Sequence, residues 1–190
     1  DTLPIENFKF IKTDKKIGVR LVSRVHYEIK SGASIKIGSY FDNSTAWVIC
    51  SANPKDAEEW YESNPQDDIW LYGGGTIDST NAGTMRDKHI GYRCLIFIGE
   101  CTNFKMFGLT TVGGDYANLV VSRPNAKCGR IYDCTFKDTI VTASKSRDHS
   151  SIWINAEDWR VYNNKFIESS PKAQLISCAF ESHGNQHYFY

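Results

Sequence analysis

Hydrophobic and polar positions recur in a fixed order over residues 94–190. Four short segments share one pattern, in which a basic or aromatic residue is followed by an apolar and then an aromatic one: Lys105-Met-Phe, Arg130-Ile-Tyr, Arg160-Val-Tyr and Tyr188-Phe-Tyr. Their first residues are 25, 30 and 28 positions apart. A repeat of ~20–50 residues indicates a solenoid or another array, and short segments rich in β-branched and aromatic residues favour strands. The pattern therefore predicts a β-solenoid with coils of about 25–30 residues.

Each coil is predicted to contribute two strands, the repeated segment and an apolar run before it, at 95–98, 118–121, 151–154 and 177–180. Alternate side chains of a strand point to opposite faces, so each strand divides into inward and outward positions. The predicted inward residues are Ile96, Ile98, Leu119, Val121, Ile152, Ile154, Cys178 and Phe180 on the first sheet, and Phe104, Met106, Ile131, Trp159, Val161, His187 and Phe189 on the second. An error of one residue in register would exchange the two faces.

Outward positions of neighbouring coils form rows, because parallel strands lie ~4.8 Å apart. On the first sheet the predicted rows are Phe97, Val120, Trp153 and Ala179, followed by Gly99, Ser122, Asn155 and Glu181. On the second sheet they are Lys105, Arg130, Arg160 and Tyr188, beside Phe107, Tyr132, Tyr162 and Tyr190. The aromatic row could be an interface between subunits, a face covered by a loop, or a groove for a sugar chain.

The earlier residues are predicted to belong to the same single domain, which spans 1–190. Residues 1–24 show no period and are predicted to be an irregular N-terminal segment. Strands are predicted within 25–38, at Trp47–Cys50 and at 69–72, and the polar stretch 53–68 is predicted to be a loop excursion. The glycines at 73–75 precede neither a Lys-Ser/Thr pair nor a helical pattern, so they predict a tight corner and not a phosphate-binding loop. Because the repeat stops in mid-strand at Tyr190, we expect further coils beyond it.

Composition argues against several classes of function. The chain has 22 basic and 22 acidic residues, so no overall charge favours nucleic acid or an anionic membrane. It has no apolar run of about 18 residues, so no membrane insertion is predicted. Six cysteines without a C-x-x-C pair argue against a zinc site and leave open either buried thiols or one or two disulfides. No metal or cofactor is predicted.

Three stretches carry a resemblance to a known superfamily. Asp68-Ile-Trp-Leu-Tyr-Gly-Gly-Gly-Thr-Ile-Asp-Ser is similar to the Gly-x-Gly-x-Ile-Asp-Gly motif of polygalacturonase-type glycoside hydrolases, and Cys101-Thr-Asn-Phe-Lys-Met is similar to the coil that follows it there. The coil around Glu181-Ser-His-Gly resembles those of bacteriophage tailspike and appendage proteins. The chain thus resembles the pectin-lyase-like superfamily, which implies an all-β fold, a single-stranded right-handed parallel β-helix.

The resemblance also implies a function. It implies a carbohydrate-active protein that recognises and cleaves an extracellular or cell-wall polysaccharide, and an extracellular or virion-associated location. By analogy with tailspikes it implies a homotrimer that attaches to a host cell. Where polygalacturonases carry Asn-Thr-Asp, this chain offers Asp148 alone, and near Glu168 it lacks the adjacent acidic pair of those enzymes.

Glycoside hydrolysis needs two carboxyl groups that flank the bond, ~5–5.5 Å apart for retention and ~6.5–9.5 Å for inversion. Neighbouring coils can supply that spacing because their strands lie ~4.8 Å apart. We expect Glu181 to be the general acid and Asp158 or Glu157 to be the base or nucleophile. The candidate catalytic residues are Glu181, Asp158, Glu157, Asp148 and His183, and the candidate substrate-binding residues are Trp153, Asn155, Arg160, Tyr162, Tyr132 and Arg130.

Other interpretations stay open. An exposed glutamate, and a corner histidine bound to backbone carbonyls, would account for Glu181 and His183 without catalysis. A secreted polygalacturonase-like hydrolase is one enzymatic alternative. A polysaccharide lyase is another: the row of Lys105, Arg130 and Arg160 could supply its basic group, but no aspartate cluster offers the six to eight oxygens that Ca²⁺ takes. A non-catalytic structural or receptor-binding β-helix is the alternative outside the enzymes.

Overall fold

A computed structural model of the chain describes residues 2–4, 8–9, 17–38, 47–51, 65–82, 94–114, 118–139, 150–169 and 178–190. Within these ranges every regular element is a β-strand, and all strand pairs are parallel. None of the described residues forms a helix long and apolar enough to cross a membrane.

The strands form three sheets, which we name A, B and C. Sheet A contains β1 (Thr2–Pro4), β4 (His26–Glu28), β7 (Gln66–Tyr72), β10 (Cys101–Phe107), β13 (Arg130–Tyr132), β16 (Arg160–Tyr162) and β19 (Tyr188–Phe189). Sheet B contains β2 (Phe8–Lys9), β5 (Ser34–Lys36), β8 (Thr76–Asp78), β11 (Thr110–Val112), β14 (Thr135–Lys137) and β17 (Lys165–Ile167). Sheet C contains β3 (Ile17–Arg20), β6 (Trp47–Cys50), β9 (Cys94–Ile98), β12 (Asn118–Ser122), β15 (Ser150–Ile154) and β18 (Cys178–Ser182).

The chain visits sheets A, B and C in turn and then returns to A, so each coil adds one strand to every sheet. This architecture is a parallel β-helix, and it confirms the predicted all-β fold with parallel strands. The predicted alignment is confirmed as well, because Lys105 pairs with Arg130, Arg130 with Arg160, and Arg160 with Tyr188. The same row continues backwards through Trp70 and His26, so the repeat extends well before residue 94.

Three features of the coils differ from the prediction. Each coil has three strands and not two, because the three-residue strands of sheet B follow directly on those of sheet A. The N-terminal segment 1–24, predicted to be irregular, contains β1, β2 and β3, which pair with β4, β5 and β6. Strand β7 begins at Gln66, so the polar end of the predicted excursion 53–68 is part of sheet A; residues 52–64 lie outside the described residues.

The interior is filled by apolar side chains from all three sheets. The predicted inward residues Ile96, Ile98, Ile152 and Ile154 are buried on sheet C, as are Phe104, Met106, Ile131, Trp159 and Val161 on sheet A. In the last coil Phe180 and Phe189 stack with ring centroids 4.9 Å apart, but Phe189, predicted to point inward, is 56% exposed. Burying such side chains supplies the main favourable term in folding.

The predicted register of β12 is wrong. Val120, expected to face outward, is fully buried and pairs with Ile96 and Ile152. Ser122 is buried in line with Ile98. The cause is the sequence Asn-Leu-Val-Val-Ser, whose three adjacent apolar residues give no alternation to read. The side chains of Leu119, Val121 and Cys178, predicted to point inward, lie outside the described part of the chain.

From β7 onward, each described corner from sheet A to sheet B contains one residue with a left-handed backbone conformation. Gly73 (φ 123°), Gly108 (φ 72°), Asp133 (φ 54°) and Asn163 (φ 53°) each follow paired strand ends. A Cβ atom at Gly73 would lie 2.2 Å from the carbonyl oxygen of Ile29. The glycines at 73–75 therefore form the tight corner that was predicted.

Candidate functional site

Trp153 and Glu181 lie side by side on the outward face of sheet C. Trp153 on β15 pairs directly with Glu181 on β18. The prediction had placed Ala179 beside Trp153 and Glu181 beside Asn155, and this is wrong by two residues because β18 extends through Ser182. The observed register places Glu181, the predicted acid, next to Trp153, the predicted sugar-binding tryptophan.

His183 contacts both of these residues. Its Nε2 atom bonds to Oε1 of Glu181, and its ring centroid lies 5.1 Å from that of Trp153 with the planes tilted by 37°. The Glu181 side chain is 24% exposed and the His183 side chain 46%. Of the described residues, His183 alone forms a hydrogen bond or ion pair with the Glu181 carboxylate. The pair is thus accessible from solvent while the acid is partly shielded.

Arg123 is a fourth member, which the sequence analysis missed. It follows β12 as Asn155 follows β15 and His183 follows β18, so the three residues are in line along the helix axis. The guanidinium carbon of Arg123 lies 5.7 Å from the Trp153 ring centroid. A basic residue directly after an apolar strand was the available signal. We call Arg123, Trp153, Glu181 and His183 the Trp153 cluster.

Asp158 and Glu157 lie at the next corner, between sheets C and A, within ion pairs. Asp158 Oδ2 is 3.7 Å from Arg130 Nη2, and Asp158 Oδ1 is 3.9 Å from Arg160 Nε. Arg130 Nη1 also donates to the carbonyls of Gly129 and Asp158, at 2.8 and 3.1 Å. Glu157 Oε2 lies 3.0 Å from Lys127 Nζ. These carboxylates hold basic side chains in place, whatever further role they have.

The cysteines at this corner and in the core are poor nucleophiles. Burial raises the pKa of the Cys101 and Cys134 thiols to about 12. Burial also raises the pKa of Cys128, with a further contribution from its hydrogen bond to Asp158. Since the thiolate is the reactive form, no role in covalent catalysis is assigned to these residues.

The aromatic row on sheet A forms a continuous stack. Phe107 and Tyr132 have ring centroids 4.9 Å apart, as do Tyr132 and Tyr162, with interplanar angles of 6° and 3°. Tyr190 continues the stack beyond Tyr162 at 5.2 Å. Burial, and then the neighbouring Tyr162, raise the pKa of Tyr132. Each inner ring is covered on both faces by its neighbours, so Tyr132 and Tyr162 offer their edges and hydroxyls to a ligand and not their flat faces.

A second tryptophan cluster lies at the start of the same face. His26 stacks on Trp70 with centroids 4.0 Å apart at 9°, and Lys105 Nζ lies 4.1 Å from the same ring. Asp68 accepts hydrogen bonds from Trp70 Nε1 at 2.9 Å and Asn103 Nδ2 at 2.8 Å, and contacts His26 Nε2 at 3.3 Å. We call these five residues the Trp70 cluster. Of these five, the sequence analysis considered Lys105 alone, as one of the basic residues that a lyase could use.

The remaining candidate, Asp148, lies outside the described residues. Within the described ranges no three His, Cys, Asp or Glu side chains come together in a group that could hold a metal ion. The structure therefore brings together Glu181, His183 and Trp153, with Asn155 next in line. It places Asp158, Arg130 and Arg160 in one ion-pair group, and Tyr132 and Tyr162 in the stack on sheet A.

Comparison with known proteins gives similar structures and no sequence family. No family model and no curated protein matches the chain. The tailspike protein of E. coli bacteriophage HK620, solved in complex with a pentasaccharide, matches with a TM-score of 0.72 and 18% identity, over 99% of this chain and 31% of its own. A variant of that tailspike, solved with a hexasaccharide, matches equally well at a TM-score of 0.72 and 18% identity, over 99% of this chain and 32% of its own.

A candidate glycosyl hydrolase from Parabacteroides merdae also matches, with a TM-score of 0.63 and 15% identity. The match covers 100% of this chain and 78% of the hydrolase chain. This chain spans about a third of the length of the tailspike chains. At these identities the likeness concerns the fold, and the chain shares the parallel β-helix with these proteins.

Proposed function

We propose that this chain binds an extracellular or cell-wall polysaccharide at the Trp153 cluster and cleaves it by hydrolysis. The observation that carries the proposal is that Trp153 and Glu181 are direct neighbours on adjacent strands and that Glu181 is hydrogen-bonded to His183. An aromatic side chain beside a partly shielded acid is the combination that a glycosidase needs, because one binds apolar sugar surface and the other can transfer a proton.

In this proposal Glu181 is the general acid. It donates a proton to the glycosidic oxygen as the bond to the anomeric carbon breaks, while a second carboxylate activates water or attacks that carbon. His183 orients the Glu181 side chain through their direct contact. Asp158, Glu157 and Asp148 are the candidates for the second carboxylate, with Asp158 favoured because it lies at the adjoining corner and is only 30% exposed.

Asn155 and the sheet A residues would complete the binding surface. Asn155 follows β15 in line with His183, where its amide can bond to sugar hydroxyls. Arg130 and Arg160 hold Asp158 and present donors toward the same corner. Tyr132 and Tyr162 would contribute hydroxyl groups and ring edges, since their faces are stacked on one another.

The structural neighbours support a carbohydrate ligand. The HK620 tailspike was solved with a pentasaccharide and, as a variant, with a hexasaccharide, and the Parabacteroides protein is a candidate glycosyl hydrolase. By analogy we propose an extracellular or virion-associated protein that attaches to a glycan-bearing cell surface. A homotrimer belongs to the same proposal and is tested by light scattering after gel filtration.

Release of reducing ends from a panel of polysaccharides tests the enzymatic proposal. Glu181→Gln should lower the hydrolysis rate by roughly 10²–10⁴-fold, the usual contribution of a general acid, and should leave polysaccharide binding intact. Glu168→Gln is the matched control, because Glu168 is exposed after β17, outside the cluster. Full activity in Glu181→Gln would remove this residue from the mechanism. An ultraviolet-absorbing unsaturated product would instead indicate a lyase.

Binding without cleavage is the second candidate function. It is favoured by one observation, which is that among the described residues no second carboxylate contacts Glu181. A structural or receptor-binding β-helix would bind the same polymer and release no reducing ends. Substituting Trp153 would then abolish binding, whereas substituting Glu181 would change little.

A further inference from the structure

Arg160 lies on β16, the strand that follows Trp153 and β15 across the corner at Asp158. On sheet C, Trp153 is paired with Glu181. On sheet A, Arg160 is paired in the same way with Tyr188, on the strand that follows β18. A polymer that follows these paired strands from the Trp153 cluster onto sheet A therefore passes Asp158 and then reaches Arg160.

The ion pairs at this corner leave one positive charge uncompensated. Arg130 and Arg160 are directly paired on sheet A, and they share the single carboxylate of Asp158. Its oxygens lie 3.7 Å from Arg130 Nη2 and 3.9 Å from Arg160 Nε, farther than the ~2.7–3.2 Å of a direct hydrogen bond. The neighbouring charges of Lys127 and Glu157 cancel each other. Because like charges on paired residues are destabilising, an anion beside Arg160 would relieve the repulsion.

Of these two guanidinium groups, that of Arg160 is the one open to a ligand. The Arg130 side chain is 23% exposed and donates to the carbonyls of Gly129 and Asp158. The Arg160 side chain is 46% exposed and forms no hydrogen bond with the described part of the chain. Its guanidinium carbon lies 5.3 Å from the ring centroid of Tyr188, a residue that is 51% exposed. Contact with a ring leaves the N–H donors at the guanidinium edge available for a two-point contact with a planar carboxylate.

From this arrangement we propose that Arg160 selects an acidic polysaccharide, by pairing with the carboxylate of a sugar bound beyond Asp158, on the side away from Trp153. The inference rests on the proposed function and names the substrate class of that site. The contact gives Arg160 a role beyond holding Asp158. Because the paired sugar lies beyond the bond that is cleaved, the contact strengthens binding of the polymer and takes no part in breaking the bond.

Calorimetric binding of acidic polymers and of their carboxyl-reduced forms tests the inference. The probes are polygalacturonate, alginate and hyaluronan, each in both forms. The wild-type chain should bind at least one acidic polymer about tenfold more tightly than its reduced form, the lower end of the value of a charged hydrogen bond, because Arg160 is half exposed. Arg160→Gln should make the two affinities equal. Arg160→Lys should give an intermediate ratio, because it keeps the charge and loses the planar fork of donors.

Arg24→Gln is the matched control, because Arg24 is also an arginine paired with an aspartate, Asp67, but near the opposite end of sheet A. It should leave the ratio unchanged. The ratio separates recognition from stability, since a poorly folded variant loses both forms of a polymer alike. An unchanged ratio in Arg160→Gln overturns the inference. A wild-type chain that shows no preference for the acidic form, or that binds only neutral polysaccharides, overturns it as well, while the proposed function stands. A wild-type chain that binds none of these polymers in either form, and no polysaccharide of the wider panel, overturns both.

Discussion

The two outward tryptophan clusters are built from the same kinds of residue, but the neighbouring side chains cover the two tryptophan rings to different degrees. Trp70 has His26 on one side and Lys105 on the other, at 4.0 and 4.1 Å, and both are in register with it. Trp153 has His183 and Arg123 at 5.1 and 5.7 Å, both displaced by two residues from its own row. The first ring is sandwiched, whereas the second is flanked by a tilted histidine.

The carboxylates of the two clusters differ in the same way. Asp68 accepts hydrogen bonds from Trp70 and Asn103 and contacts His26, while Glu181 has a polar contact with His183 alone among the described residues. Asp68 has three partners within the protein and Glu181 has one, so more acceptor sites of Glu181 are left for a ligand, although its side chain is the less exposed of the two, at 24% against 39%. Similar residues thus form a structural cluster where they are in register with the tryptophan, and a candidate binding site where they are displaced from it by two residues.

The largest expected contrast is between the two tryptophans themselves. Trp153→Ala should weaken polysaccharide binding by roughly 30-fold, the effect of losing a binding hot spot of about 2 kcal/mol. Trp70→Ala should leave binding unchanged and lower the free energy of unfolding by about 2–3 kcal/mol, because it removes a ring stack, a cation contact and a hydrogen bond to a carboxylate. Calorimetry and urea denaturation measure the two effects. Weaker polysaccharide binding in Trp70→Ala would contradict the purely structural role of Trp70.

The carboxylate of the Trp70 cluster should contribute a pH-dependent part of stability. Burial raises the pKa of Asp68, but hydrogen bonds from Trp70 and His26 and the nearby charges of His26 and Lys105 outweigh it, so the pKa is lowered. A lowered pKa in the folded state means that the stabilisation is present above the unfolded value of about 3.9 and is lost as the pH falls through the folded value.

Asp68→Asn should therefore have a lower melting temperature than the wild-type chain near neutral pH. The difference between the two melting temperatures should become smaller below about pH 4. The effect is modest, since the Asp68 side chain is 39% exposed and solvent screens its interactions. Thermal unfolding between neutral and acidic pH provides the measurement. A gap that stays constant across that range would show that Asp68 acts through packing and not through its charge.

The smallest expected effect concerns the cation of the closed cluster. Lys105→Gln should lower the free energy of unfolding by about 0.5–1 kcal/mol, the usual value of an exposed cation–π contact. The loss should shrink when Trp70 is already alanine, because the two residues are in contact. Urea denaturation of the two single variants and the double variant gives this coupling. Additive effects would mean that the cation stabilises the coil without the ring.

Much of the fold could be predicted because the repeat is regular where one face of each strand is buried. Lys105, Arg130 and Arg160 mark the same position in three coils, and their alignment is confirmed. The sheet B strands Thr110–Val112, Thr135–Lys137 and Lys165–Ile167 were missed because their residues share no pattern from coil to coil, unlike the equally short sheet A strands Arg130–Tyr132 and Arg160–Tyr162. Such strands are stabilised by their neighbours in the stack rather than by local sequence preference.

The candidate site was less predictable, because it depends on register between coils. All five residues of β9 are buried, so the apolar run gives no sign of which side chains face the core. The same ambiguity put Val120 on the wrong face in the prediction. The end of β18 was also predicted wrongly, which separated Glu181 from Trp153. The contact of Arg123 with Trp153 depends on a diagonal between adjacent coils, which strand alternation does not describe.

A crystal structure of the Glu181→Gln variant with an oligosaccharide from a polymer that the wild-type chain binds tests whether Trp153 and Glu181 form the binding site. Sugar density is expected along the edge of Trp153, with a glycosidic oxygen within about 3 Å of the substituted side chain. Sugar bound along the stacked row of Tyr132 and Tyr162 on sheet A, with Trp153 uncovered, would contradict it.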